Sequence, residues 1–206
     1  MPFIKHTENR LYHYCKFKTA KDYILPSNNL LLNSIVKTND PRENKHFVFD
    51  SVYRGMTLLE VQKKNEEVNV LLRKNCKALC FSQDYLHRWG CASSQMWAHY
   101  GGNHTGVCLE LDMEEFIKEN PTLDVSLFRK VTYVDYKIRT AFDPPNNNPF
   151  DHKEIDYTTA DKMGLENYVL SSFRPQHLNY FYFTKNIEWE SERERRVIHF
   201  GDYSGR

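Results

Sequence analysis

The stretch that most constrains this chain is residues 78–112, which reads as strand, short helix, strand. Ala78 to Phe81 is an apolar run that ends in a polar Ser82. Val107, Leu109 and Leu111 alternate with Cys108 and Glu110, the two-residue period of a half-buried strand. Between them, Ser93 to Tyr100 fits two helical turns, and Gly101-Gly102 is a strong stop. Trp97, His99, Tyr100 and His104 crowd the helix end and the turn after it. Rings at a rim between two strands and a helix can floor a flat ligand. The same rings serve equally as core, with the histidines bonded in the turn.

At 206 residues the chain can bury one substantial core, so residues 1–206 are expected to form a single domain. The net charge of +1 argues against a general polyanion binder and leaves room for a local basic groove. Aromatic residues at 14% favour strands and a ring-lined cleft. No apolar run approaches the length of a membrane span, and Met1 to His6 lacks the apolar stretch of a signal peptide. Five cysteines without metal-like spacing suggest free thiols in a reducing compartment, so a cytoplasmic location is expected.

Arg10 to Phe17 alternates and predicts a strand, with Leu11, His13 and Cys15 on one face and Tyr12 and Tyr14 on the other. Thr19 to Leu25 predicts a helix capped by Thr19 and ended by Pro26. Leu30 to Leu32 predicts a short buried strand, and Asn39-Asp40-Pro41 a turn. Residues 57–74 give the clearest helix, with Thr57 and Glu60 as a capping box and a stripe of Leu58, Val61, Val68, Leu71 and Leu72. Asp112 opens a short helix that Pro121 ends, and Phe128 to Tyr136 predicts a strand. Residues 143–150 predict a loop, and 154–173 mixed helix.

Residues 189–198 carry the second informative pattern. As a strand, 192–198 places Glu192, Glu194 and Arg196 on one face. Two carboxylates beside a guanidinium then offer an acceptor and a base at a cleft edge. As a helix, the same run is a ladder of ion pairs. The β-branched ending Val197-Ile198 and the aromatic lead-in at 180–183 favour the strand.

The joint order of Leu11-Tyr12-His13-Tyr14, Asn39-Asp40-Pro41, Cys80-Phe81-Ser82, Met96 to Tyr100, Gly106 to Glu110, and Trp189 with Glu192, Glu194 and Arg196 resembles an uncharacterised bacterial family, a domain of unknown function. That resemblance covers nearly the whole chain. More distantly, residues 79–111 resemble the nicotinamide-binding block of the ADP-ribosyltransferase superfamily, in its poly(ADP-ribose) polymerase-like branch. The resemblance implies an α+β fold of split antiparallel β-sheets with flanking helices and an NAD cleft between the sheets. It implies that His13 bonds the adenosine-side ribose of NAD and that Tyr100 stacks on the nicotinamide. It further implies that Glu194 bonds the nicotinamide ribose, with Glu192 completing a Glu-x-Glu pair. Phe81, Ser82 and Trp97 fall in the same NAD-binding block. Tyr14 stands where that branch has a small Gly or Thr, and Trp97 where it tends to have Ser.

These residue types suit the chemistry. Breaking the nicotinamide–ribose bond builds positive charge on the sugar, which a fixed carboxylate stabilises. The function so implied is an NAD-dependent ADP-ribosyltransferase, a toxin or anti-phage defence effector restrained by an antitoxin protein. Its acceptor would be protein or nucleic acid, with RNA or single-stranded DNA reached through Lys16, Lys37, Arg42, Lys45, Arg193 and Arg195 and through base stacking at 180–183. The alternatives are a non-catalytic nucleotide- or peptide-binding module, and a metal-dependent nuclease using His99, His104 and the late carboxylates.

Overall fold

A computed structural model describes residues 9–37, 47, 49–51, 55–85, 88–134, 154–173 and 175–201. The 39–41 turn, the 143–150 loop, Arg42 and Lys45 lie outside the described residues.

Strand β1 (Arg10–Cys15) forms where its alternation predicts. The following helical run departs from expectation. It comprises α1 (Phe17–Thr19), a π turn over Ala20–Ile24 and α2 (Leu25–Ser27), so Lys16 rather than Thr19 precedes it and Pro26 lies inside it. Proline has no N–H and its ring crowds the carbonyl four residues back, and the wider π turn just before it accommodates both. Asn28, in the left-handed region, ends the run. The predicted strand at 30–32 is also displaced. Leu31 is exposed, Leu30 and Leu32 are half-buried, and the pairing falls on β2 (Asn33–Ser34).

β3 (Asp50–Ser51) precedes the long α3 (Leu58–Lys74). The capping box is present: the Thr57 hydroxyl accepts from the Glu60 N–H, and the Glu60 carboxylate accepts from the Thr57 N–H at 2.7 Å. Val61, Val68 and Leu72 are buried, whereas Leu58 is exposed. Buried Asn69 bonds both the N–H and the carbonyl of Phe47, a polar core position that the apolar stripe did not reveal. Then follow β4 (Cys76–Ser82), α4 (Ser94–His99) capped by Ser93, β5 (Val107–Asp112) and α5 (Met113–Glu119) capped by Asp112.

The strand predicted at 128–136 breaks into β6 (Phe128–Lys130) and β7 (Thr132–Val134). The break falls at Val131, whose N–H donates to the Glu194 carbonyl at 2.8 Å. β8 (Glu154–Ile155) pairs with β3, and β9 (Thr184–Asn186) pairs with β7. Between them lie α6 (Tyr157–Met163), α7 (Leu165–Ser172) and α8 (Pro175–Phe183). A 3-10 turn over Ile187–Glu192 leads into β10 (Glu194–Phe200). The aromatic run at 180–183 is the end of a helix. Phe181, Tyr182 and Phe183 are buried, and Phe181 packs on Phe47, Phe49 and Phe173, so these three rings offer no face to an unpaired base.

The fold is α+β, with an antiparallel sheet ordered β5-β1-β4-β10-β6 and β2 attached to β4. Helices cover both faces. α3, α6, α7 and α8 pack on Cys76, Ala78 and Ile198, while α5 packs on Leu11, Leu79, Phe81, Phe128 and Val197. The pairing along β4 is uneven. β10 follows one edge of it for its whole length, from Ser82 to Cys76. On the other edge β1 touches it at Tyr12↔Ser82, and β2 pairs with it at Ala78 and Lys77. No described strand pairs with that edge at Leu79 to Phe81, so β1 and β4 part there within one continuous sheet; the two further two-stranded ladders are parallel, so the described residues do not form the expected split pair of antiparallel sheets.

Candidate functional site

The split opens a cleft of about 690 Å³. Its sides are β1 and β4, and its end is closed by His99 of α4 and Tyr100 just after it, with Lys185, Glu192, Glu194 and Arg196. Local sequence explains each position. On β10 the two-residue period puts Ile198, Arg196 and Glu194 on one face, so that face turns from apolar core to charge in two steps. Glu192 does not share the strand as the alternation predicted. It ends the 3-10 turn, and Arg193 in the left-handed region (φ 49°) reverses the chain between the two carboxylates. Both still reach the same cluster.

That cluster is buried and charge-balanced. The Lys185 ammonium donates to Glu192 at 2.5 Å and to Glu194 at 3.2 Å. Arg196 holds Glu194 through Nε and Nη2 and donates its Nη1 to the Tyr182 carbonyl at 2.8 Å. The Tyr100 hydroxyl donates to Glu192 Oε1 at 2.8 Å, and the Tyr133 hydroxyl accepts from the Glu194 N–H at 2.8 Å. The Trp189 ring lies over the Lys185 ammonium at 4.9 Å. Lys185 and Tyr133 are site residues that sequence reading missed. The one signal for Lys185 is a cation two residues past an aromatic run that packs inward.

The two carboxylates are driven in opposite directions. Burial raises Glu192, and Lys185 offsets that only in part. Burial would raise Glu194 as well, but Arg196 and then Lys185 outweigh it and hold its carboxyl below the ordinary value. Paired carboxylates pushed apart in this way can divide acid–base work, one staying ionised while the other exchanges a proton. The Tyr100 hydroxyl is raised, first by burial and then by the Glu192 charge.

His13 bridges the split, with Nδ1 at 3.1 Å from the Cys80 carbonyl. A carbonyl can only accept, so Nδ1 carries the proton and Nε2 is the acceptor of the neutral ring. Burial lowers His13, against the opposing pull of that carbonyl, and so favours the neutral form.

The remaining predicted residues are placed less directly. Phe81 lines the cleft, but its ring is buried edge-on to Phe116 and Phe128. The Ser82 hydroxyl donates to the Glu192 carbonyl at 2.7 Å and so ties β4 to the turn before β10. Trp97 lies away from the cleft lining. Its Nε1 donates to the Cys91 carbonyl at 2.8 Å, and its ring packs edge-on to Tyr14 at 5.1 Å. Of the basic residues, Lys16 is exposed at the cleft, Arg193 stacks on Tyr85, and Arg195 packs on Phe128. His104 is exposed, and among the described residues no three His, Cys, Asp or Glu side chains converge as metal ligands.

The fold and site thus define an α+β protein with a cleft between β1 and β4 of one antiparallel sheet and a buried carboxylate–cation cluster at its end. Residues 96–197 match the family described as "Protein of unknown function (DUF2971)". Over that stretch the resemblance to an uncharacterised family is borne out. It includes Tyr100, Glu192 and Glu194, whereas His13, Phe81 and Ser82 lie before it. No curated protein and no solved structure matches the chain. Among the described residues no helix is long and apolar enough to cross a membrane.

Proposed function

We propose that this chain is an NAD-dependent ADP-ribosyltransferase whose cleft lies in the β1–β4 split. One observation carries the reading: His13, Tyr100, Glu192 and Glu194 come from far-separated parts of the chain and meet at a single cleft. A volume of about 690 Å³ lies within the usual range for a small-molecule site.

In this reading NAD is the substrate. His13 Nε2 accepts from a ribose hydroxyl, and the Tyr100 ring holds the nicotinamide. The bond between ribose C1′ and the nicotinamide nitrogen breaks, and its electron pair leaves with nicotinamide. Glu194, kept ionised by Arg196 and Lys185, stabilises the positive sugar. The acceptor's oxygen or nitrogen then bonds C1′, and its proton passes to Glu192, whose raised pKa suits a base.

A second reading also has an observation behind it. Both carboxylates already have cationic partners in a buried cluster, as a non-catalytic nucleotide-binding module would arrange them. One assay separates the two: nicotinamide release and label transfer from labelled NAD, with RNA, DNA and cell protein as acceptors. Transfer that Glu194→Gln abolishes is the expected result. No turnover with any acceptor, together with NAD binding by calorimetry, would leave the binding module. No NAD binding at all would overturn the cleft assignment.

A further inference from the structure

A second hollow, of about 1050 Å³, lies beside the cleft and is assigned no part in it. Glu190, Ser191 and Arg193 line this hollow, while Glu192 and Glu194 of the same segment line the cleft. The two spaces therefore share one wall, and the Ser82 bond to the Glu192 carbonyl fixes it.

The lining has a definite chemistry. Tyr85 and Trp89 are exposed rings, 43% and 42% accessible, where buried core rings would be expected. The Arg193 guanidinium lies 3.4 Å from the centre of the Tyr85 ring and pairs with Glu190 at 3.3 Å. Arg88 is exposed beside them. The rest of the described lining is amide and hydroxyl, and Ala92 is its only aliphatic side chain. A peptide groove would present aliphatic pockets or an open strand edge. Rings for stacking, arginines for phosphate, and short hydrogen-bonding side chains are the chemistry of an unpaired nucleotide.

We propose that this hollow binds an unpaired nucleotide of single-stranded nucleic acid and sets the strand against the wall that carries Glu192 and Glu194. Trp89 stacks on the base, and Arg88 meets a backbone phosphate. The role as acceptor site rests on the transferase reading, whereas the binding itself does not. The small net charge agrees with a local site, because affinity then comes from one base pocket and not from a broad basic face.

The test is fluorescence polarisation with labelled short oligonucleotides of mixed sequence, without NAD: single-stranded RNA, single-stranded DNA and a duplex. Wild type, Trp89→Ala and Arg88→Ala are compared, and their melting temperatures and NAD binding are checked for equality. Single strands are expected to bind better than duplex. Trp89→Ala is expected to weaken binding by about 5- to 160-fold, the range for one lost base stack. Arg88→Ala is expected to reduce the salt dependence by about one phosphate contact. The RNA and DNA arms identify the sugar. Binding without NAD turnover supports the pocket and overturns the transferase. No binding at low salt, equal binding of duplex, or unchanged affinity in both variants overturns the pocket whatever the NAD result.

Discussion

Arg196 holds Glu194 by two bonds from a position two residues along the same strand, Nε to Oε1 at 2.5 Å and Nη2 to Oε2 at 2.9 Å. Its third bond, to the Tyr182 carbonyl, ties β10 to the end of α8. Removing one partner of a buried ion pair leaves the other charge without compensation, which costs on the order of 3–5 kcal/mol. Arg196→Met is therefore expected to lower the melting temperature by roughly 10 °C in a chain of this length. Arg196→Lys recovers only part of that, because one ammonium cannot reproduce a two-bond grip. Calorimetry of the three proteins checks this, and a wild-type melting point in the methionine variant would contradict it.

Glu192 and Glu194 give opposite pH dependences. Glu194 has a lowered folded pKa, so its contribution is present above the unfolded value and is lost as pH falls through the folded one. Glu192 has a raised folded pKa, so its contribution is full below the unfolded value and is lost as pH rises through the folded one. Melting temperature followed against pH should lose its acid-side slope in Glu194→Gln. Glu192→Gln should instead lose the decline that runs upward from the ordinary carboxylate range. With Glu192 as base, nicotinamide transfer rises through that same upper window, and Glu192→Gln removes the rise. If both variants keep the wild-type profiles, the carboxylates do not titrate as their surroundings dictate.

Tyr100 joins the two proposed tasks, because its ring faces the cleft while its hydroxyl donates to Glu192. Tyr100→Phe keeps the ring and removes the donor. NAD affinity should then stay within about threefold, while turnover falls and the Glu192 limb moves to higher pH, since that bond helps to hold Glu192 down. Tyr100→Ala removes the ring too and should weaken NAD by about tenfold, the upper range for one aromatic contact. Binding by calorimetry and turnover from labelled NAD separate the two effects. Equal loss of NAD affinity in both variants would mean that the ring does not hold the ligand.

Much of the frame was legible because period and punctuation act locally. The alternation of β1 and β5, the capping box at Thr57 and the Gly101-Gly102 stop all lie where the sequence places them. The errors arose where distant partners decide. The aromatic lead-in at 180–183 counts toward the strand reading of 192–198, yet three of its rings are needed in the core against Phe47, Phe49 and Phe173, and a helix delivers them. Pro26 looks like a terminator in the sequence because the π turn that absorbs it leaves no sequence mark. At the site, Glu192, Glu194 and Arg196 were visible as one cluster. Lys185 and Tyr133 were not, since both come from β7 and β9, whose pairing no local pattern announces.

Gly106 offers a test of the geometry that shapes the cleft's far end. The turn from Gly101 folds back so that the Gly106 N–H meets the Gly101 carbonyl at 2.7 Å. A Cβ added at Gly106 would stand 2.2 Å from the Cys15 carbonyl oxygen and 2.7 Å from Gly101, all of them backbone atoms that cannot swing aside. Gly102 differs: its φ of +57° is strained for a side chain, but the nearest atom to an added Cβ is 3.5 Å away. Steric and conformational demands are thus separated within one turn. Gly106→Ala is expected to destabilise by about 3 kcal/mol, the upper range for overpacking, because β1 and the turn must move apart. Gly102→Ala should cost about 1–2 kcal/mol, and Gly102→Asn less, since asparagine tolerates the left-handed region. Urea denaturation of the three variants orders them. If Gly106→Ala proves the mildest, the turn does not close on Cys15 as described, and the β1 side of the cleft is shaped by something else.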